Sequence, residues 1–542
     1  MTNNMPAKSG SAFGGKKYIP LIIILIFGTL LRFYHNLDIA LWHDEAFSAL
    51  MIRYPWGEML QRLGLDVHPP MYYIFLRFWH YIFGGSLLSL RGFSIFFGTA
   101  AIWAGYMFTK EAFKNEKAAL WAAVFIAINP FQLQYVNEAR MYTFGAFFAL
   151  MAAYFLVKAL HSHTLLYESE KMNMPNLPES INAKKKMFWN YLGFTLSMAI
   201  IIYTHYYLFF TAAALGFYGL LYLYFHHQGS WKKYLPLLSS FLVIILSFLP
   251  WLKTFLFQYG QVQAGYWISK MTVWSIPSTF WDMLLGFERD TNKQSTQIML
   301  ILVTLFSLFM LYRFLRKTES FAKWLAVLAV LAPFGGALLF ALMARLKGSD
   351  SSVYLDRYFL FGSLFYSVAL AVWLKEIKLK WLAVSLFIIY CGLNLTAYAH
   401  YWNQLDVKSK PGMAAAAKFL QANVEPKHHV FVGTSYEFFN YKYYGTVLNP
   451  IPSAPLLFTG GRPFAKQLSH VEGVALLTDA DLVPDFIKAV SKEDTVWLVW
   501  TKAFGSNKPE TPLNWIKIDE KEYQDVRPYP GTVIYVTEYK VN

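Results

Sequence analysis

Runs of about 20 apolar residues recur along most of this 542-residue chain, and Lys and Arg gather at alternate ends of them. A helical run of that length matches the ~30 Å hydrocarbon core of a bilayer, so the pattern points to a polytopic α-helical membrane protein. Only 15% of residues are charged, against about 25% in a soluble domain, too few to wet a soluble protein of this size. In a soluble chain the net charge of +15 would suggest nucleic acid. Here the cations collect in the loops between spans, with no zinc-finger spacing and no RNA-binding signature. The expected partner is therefore the lipid bilayer and not nucleic acid. Cys391 is the single cysteine, which excludes an intramolecular disulfide and a cysteine-based metal site.

The positive-inside rule sets the direction of each span. Residues 1–17 read as a cytoplasmic tail and 18–35 as an uncleaved signal-anchor running outward. Spans over 88–108, 118–135, 141–160, 188–203, 208–225, 235–256, 296–312, 322–344, 358–374 and 380–400 bring the number to about eleven. Residues 69–85 are apolar but short and carry Arg77 and His80. Counting them as a span would turn several cationic clusters outward, so they are read as lying along the surface. Residues 18–402 then form a transmembrane catalytic domain with external loops at 36–87 and 257–294. The middle of the first loop reads as an amphipathic helix, with Leu50, Tyr54 and Leu60 beside Arg53, Glu58 and Arg62. From 403 to 542 the apolar runs shrink to strand length, at 429–433, 495–500 and 532–539, with helices expected over 412–422 and 483–491. That alternation predicts a C-terminal extracytoplasmic α/β domain.

This topology, set by Lys and Arg alone, places five polar sets on one outer face: Asp44/Glu45, Asp66/His68, Glu138/Arg140/Tyr142, His205/Tyr206 and Asp356/Arg357/Tyr358. Each has a plainer explanation: a solvated loop pair, a turn before Pro69 and Pro70, a local ion pair, a satisfied bundle histidine, a snorkelling arginine. Together they are what an outward-opening active site requires. His205 with Asp66, His68 or Glu138 also offers donors for a divalent metal ion, and the sequence leaves metal dependence open. In the loop 257–294, Tyr266, Trp267, Trp274, Trp281 and Phe287 are suited to covering a lipid tail, stacking on a sugar or anchoring at the interface.

Asp-Glu after the first span, HPPMYY at 68–73, NEARMYT at 137–143, THYY at 204–207 and the Arg-Tyr pair at 357–358 follow one another in an order that resembles the GT-C superfamily of membrane glycosyltransferases. The nearest branch is that of bacterial protein O-mannosyltransferases and aminoarabinose transferases. The resemblance covers about residues 15–400 and none of the C-terminal domain. It implies transfer of a sugar from a polyprenyl-phosphate donor to a protein, lipid or glycan acceptor on the extracytoplasmic side of a bacterial inner (plasma) membrane. It also implies Asp44 as the catalytic carboxylate, with Glu45 supporting it or contacting the acceptor. Glycosyl transfer with inversion needs a base near the attacking hydroxyl and charge stabilisation at the leaving phosphate. Arg140 and Arg357 suit the phosphate, because guanidinium matches it bidentately. Asp66, His68, Glu138, Tyr142, Tyr206 and Tyr358 complete the expected donor- and substrate-binding set. No cofactor beyond the open metal question is implied. The alternative is a transporter or flippase of a lipid-linked sugar or other solute. That class carries broken helices and ionisable groups near the mid-bilayer, whereas the marked charges here cluster at the outer ends.

Overall fold

The structure is a computed structural model, described over residues 18–171, 178–227, 231–264, 268, 270–286, 291–346, 348, 352–448, 450–527 and 531–542. The first helix, α1 (Ile19–Phe33), carries a proline in its first turn, where the missing N–H has no partner to lose. The single amphipathic helix expected next is two helices, α2 (His43–Met51) and α3 (Trp56–Gly64). Pro55 separates them, because it disfavours helical backbone at the residue before it and removes a backbone donor. After the His-Pro-Pro turn, α4 (Met71–Phe83) has 13 residues and a rise of about 20 Å, short of the ~30 Å core. That length fits a surface-lying helix, as the sequence suggested.

Ser86 caps α5 (Leu87–Phe113) and Asn115 caps α6 (Glu116–Ile128), each accepting from a backbone N–H of the first turn. Asn129 then caps the short α7 (Pro130–Val136), which is bent by 53° from α6. The break follows from Pro130, and Arg32 of α1 takes up the loose end. Its Nη1 and Nη2 donate to the carbonyls of Ala127 and Ile126 at 3.0 and 3.2 Å. The bundle continues through α8 (Tyr142–Lys171), α9 (Pro178–Ile202), α10 (Leu208–His226) and α11 (Leu235–Ala264), then the short α12 (Ser275–Leu284). It ends with α13 (Gln294–Lys317), α14 (Ala322–Leu346), α15 (Leu360–Glu376) and α16 (Lys380–Leu405). Every residue from Leu360 to Leu374 is buried, so α15 is the interior helix around which the others pack, apolar on all sides.

Each of the eleven expected spans coincides with a helix or, at 118–135, with the bent pair. Among the described residues eight helices are long and apolar enough to cross a membrane, or nine if α6 and α7 form one broken span. The 15-residue α1 is shorter, and α9 falls outside that set. Of the loop aromatics, Tyr266, Trp267 and Phe287 lie outside the described residues. Trp274 opens α12, and Trp281 Nε1 donates to the Gly286 carbonyl at 3.0 Å. Gly286 has φ +68°, and a side chain there would collide with Pro130 and Phe131 at the start of α7.

Beyond α16 come α17 (Gly412–Asn423), β1 (His429–Val432), α18 (Ser435–Lys442), β2 (Pro455–Phe458), β3 (Leu482–Val483), β4 (Thr495–Thr501), β5 (Trp515–Asp525) and β6 (Thr532–Val541). They form one sheet in the order β3-β2-β1-β4-β6-β5. The first four strands are parallel, with Val430 opposite Trp497, while β6 and β5 are antiparallel, with Trp500 opposite Tyr535. The three expected strands are present. The helix expected over 483–491 is not: residue 483 ends β3, and a turn over 487–489 takes its place.

This sheet domain sits on the loop after α1. Leu41 N–H donates to Tyr444 Oη at 2.8 Å, and Tyr54 Oη donates to the Leu476 carbonyl at 3.2 Å. Arg62 Nη1 donates to the Ala475 carbonyl at 3.1 Å. His43 of α2 packs on Tyr436 and Phe439 of α18, with ring centroids 4.9 and 5.3 Å away.

Candidate active site

Asp44 and Glu45 occupy the first turn of α2, where the positive end of the helix dipole favours carboxylates. Consecutive residues on a helix diverge by about 100°, and here that divergence separates their roles. Glu45 turns inward and has no exposure. Arg91 of α5 grips both its oxygens, Nε to Oε1 and Nη2 to Oε2, each at 2.8 Å. The same guanidinium holds the carbonyls of Asn36, Ile39 and Ala40, and Glu45 Oε1 also accepts from Ala139 N–H at 2.9 Å. Burial would raise the Glu45 carboxyl, but Arg91 outweighs it and holds it below its ordinary value. Glu45 therefore ties α2, α5 and the segment between α7 and α8 together, away from any reacting group.

Asp44 turns the other way and keeps 26% of its side-chain exposure, into a cavity of about 400 Å³. Arg357, in the 3-10 turn Asp356–Phe359, donates from Nη1 to Asp44 Oδ2 at 3.2 Å. Arg140 Nε lies 3.9 Å from the same oxygen, and Arg140 Nη1 donates to the Asp44 carbonyl, Ser48 Oγ and Tyr73 Oη at 3.2 to 3.3 Å. Burial pushes the Asp44 carboxyl up. Arg140 and Arg357, helped by His43 and His68, outweigh that and hold it at about 2.

A second carboxylate supports the first from behind. Asp66 Oδ2 is 2.9 Å from His68 Nδ1, and His68 Nε2 is 3.4 Å from Arg140 Nη2. His68 offsets the effect of burial on Asp66 and keeps that carboxyl below its ordinary value. The chain Asp66–His68–Arg140–Asp44 thus joins three of the expected polar sets, and Arg357 adds a fourth. Tyr142 and Tyr358 also line the cavity, with the Arg357 guanidinium 6.0 Å from the Tyr142 ring.

The remaining set, His205 and Tyr206, lies elsewhere. His205 and Tyr206 line an adjoining apolar groove of about 250 Å³ between α10, α11 and α14, which shares Val67, His68 and Tyr358 with the polar cavity. Tyr206 Oη is spent on Gln258 and accepts from Trp251 Nε1 at 3.0 Å, so it belongs to the groove wall and does not face Asp44. His205 is driven well below its ordinary pKa by burial, and the nearby cations reinforce this. Its ring centroid is 5.8 Å from that of His68. Among the described residues no three His, Cys, Asp or Glu side chains come together as a metal-ligand set. His205 and Asp66 are thus not part of such a set, and Asp66 is hydrogen-bonded to His68.

Glu138 joins the cavity from a different quarter. Its partner is Arg527 of the C-terminal domain, with Nη1 3.0 Å from Oε1. Burial outweighs the pull of Arg527 and pushes the Glu138 carboxyl up. Arg527 also lies 5.8 Å from the ring of Trp42. The cavity is lined further by Tyr436 and His470, so the sheet domain supplies one whole wall. None of these C-terminal residues stood out in the sequence, because no local motif surrounds them. The signal in the sequence for Trp42 is its place immediately before the His-Asp-Glu turn.

Comparison with known proteins adds the following. Residues 67–167 match the family model described as dolichyl-phosphate-mannose-protein mannosyltransferase. No curated protein sequence matches the chain. The chain superposes on ArnT from Cupriavidus metallidurans in the apo state with a TM-score of 0.59 and 12% identity, over 97% of this chain and 98% of that one. The structure of the same protein bound to undecaprenyl phosphate gives a TM-score of 0.58 at 12% identity, with the same coverage. The fold, sheet domain included, is thus that of ArnT, and the chain is a multi-pass membrane protein resembling GT-C glycosyltransferases.

Proposed function

We propose that this protein transfers a sugar from a polyprenyl-phosphate donor to an acceptor hydroxyl on the extracytoplasmic side of a cell inner membrane. In this reading residues 18–402 form the catalytic domain, the N-terminus is cytoplasmic, and the external loops and the sheet domain cover the site. The observation that carries the proposal is Asp44: an ionised carboxylate between two guanidiniums, where a polar cavity meets an apolar groove.

That junction suits an amphiphile. An isoprenoid tail would occupy the groove, whose walls include Phe209, Phe210, Phe255, Leu339 and Phe340. Its phosphate would lie against Arg140 and Arg357, which offer two cations to the single carboxylate of Asp44. A phosphate arriving there competes for both guanidiniums and loosens their hold on Asp44. The freed carboxylate is then placed to take the proton of an acceptor hydroxyl. As that oxygen bonds to the anomeric carbon, the bond from the carbon to the phosphate oxygen breaks. The electron pair leaves on the polyprenyl phosphate, where the two arginines stabilise it. His68, held by Asp66, keeps Arg140 in place throughout. ArnT, with which the fold is shared, has been captured with undecaprenyl phosphate, a ligand of the class proposed here.

The test is consumption of radiolabelled undecaprenyl-phosphate sugars by purified protein in nanodiscs, with native membrane extract supplying the acceptor. Turnover of one donor is expected. No turnover of any donor, with folded protein and an extract shown to contain acceptors, would overturn the proposal.

A further inference from the structure

Where the bundle meets the sheet domain, the cavity holds a second set of polar groups with different chemistry. Among the described residues Trp42 Nε1, Glu138 Oε2 and Arg527 Nη1 are shielded from solvent and lack a hydrogen-bond partner. All three side chains line the cavity. They are contiguous: Arg527 Nη1 is 3.0 Å from Glu138 Oε1, an ion pair without hydrogen-bond alignment, and its guanidinium lies 5.8 Å from the Trp42 ring. Buried polar atoms left unsatisfied are costly, so Trp42 Nε1 and Glu138 Oε2 beside a poorly aligned ion pair call for an occupant.

Charge tells what kind. Arg140 and Arg357 converge on Asp44, an arrangement that suits phosphate. Here Glu138 faces Arg527 and keeps an unpartnered oxygen, which would repel an anion. A neutral ligand with several hydroxyls fits: the carboxylate oxygen accepts from one hydroxyl, while the guanidinium and the indole N–H donate to others. We propose that Trp42, Glu138 and Arg527 form a sugar-binding subsite, split between the membrane bundle and the sheet domain, that reads the hydroxyl pattern of a glycosyl ring. This rests on the glycosyltransferase reading above and extends it. The C-terminal domain is then a specificity element, and the site is incomplete without it. The ring belongs either to the donor or to a glycan acceptor, and both present the same chemistry.

The experiment uses the full-length protein in nanodiscs, with Trp42→Phe, which keeps the ring and removes only its N–H, and Glu138→Gln. Binding is measured for undecaprenyl phosphate and for its mannosyl, glucosyl and aminoarabinosyl derivatives. If the subsite holds the donor ring, both variants weaken the sugar-bearing donor that wild type binds, by about ten-fold for Glu138→Gln, and leave bare undecaprenyl phosphate within about two-fold. If it holds the acceptor ring, donor binding is unchanged and the half-saturating amount of membrane extract rises by a similar factor. Unchanged binding and transfer in both variants would overturn the subsite. So would a parallel loss for bare undecaprenyl phosphate in Trp42→Phe. Wild type that binds none of these lipids would overturn the donor reading itself, an outcome separate from either.

Discussion

Two adjacent carboxylates in one helical turn have opposite fates, and the cause is their direction. Glu45 is locked to Arg91 with no exposure, and Asp44 faces the cavity between Arg140 and Arg357. Breaking a buried ion pair by removing one partner costs about 3–5 kcal/mol, because the other charge is left uncompensated. Glu45→Gln is therefore expected to lower the melting temperature sharply while sparing turnover per folded molecule. Full stability with lost turnover would instead give Glu45 a chemical role. Arg357→Ala removes a charged hydrogen bond from both Asp44 and the proposed phosphate. It is expected to raise the donor KM by about 10- to 100-fold, and unchanged donor kinetics would contradict the assignment. The same substitution tests the electrostatics. The two guanidiniums depress Asp44 to about 2, so its charged form persists far into acid. Its contribution to stability is present above pH 3.8 and is lost as pH falls toward 2. With Arg357 gone, the acid limb of the pH–rate profile shifts upward by about one unit; a limb that stays put would show that Arg357 does not hold Asp44.

At the scale of elements, what was legible in the sequence is what local physics determines. Apolar runs became helices, and β1, β4 and β6 sit where β-branched and aromatic residues cluster. Proline explains two elements that came out differently: Pro55 divides α2 from α3, and Pro130 bends α6 from α7. The positions of Arg32, Arg91 and Arg527 were not legible, because each finds its partners dozens to hundreds of residues away. Tyr206 of the THYY run lines the groove and not the polar cavity, because the turn before α10 directs its hydroxyl to Gln258 and Trp251. The α18 helix supports a prediction of its own. Burial, aided by Asp525, raises Glu437 to about 8. Its neutral form is thus favoured in the fold, and the stability it contributes, full below about 4.5, is lost as pH rises towards 8. Glu437→Gln keeps the shape without the charge. Its melting temperature is expected to exceed that of wild type at pH 9 by several degrees and to match it near pH 5. Equal melting at both pH values would contradict a buried neutral Glu437.

On the scale of the whole molecule, the site belongs to neither half alone. The first turn of α2 supplies Asp44, the loop between α3 and α4 supplies Asp66 and His68, the segments before α8 and α15 supply Arg140 and Arg357, and the sheet domain closes the remaining wall with Tyr436, His470 and Arg527. The groove between α10, α11 and α14 opens beside it. An apolar groove and a polar cavity thus adjoin in one site, the layout the proposed lipid-linked donor needs, and the proposed chemistry converges on one carboxylate. The most direct measurement is therefore sugar transfer by wild type and Asp44→Asn, side by side in nanodiscs, with the donor that wild type consumes. Loss of the proton acceptor is expected to lower turnover by about 10²–10⁴-fold, with donor binding retained and melting temperature little changed. Transfer by Asp44→Asn at the wild-type rate would contradict the central claim and remove Asp44 from the chemistry.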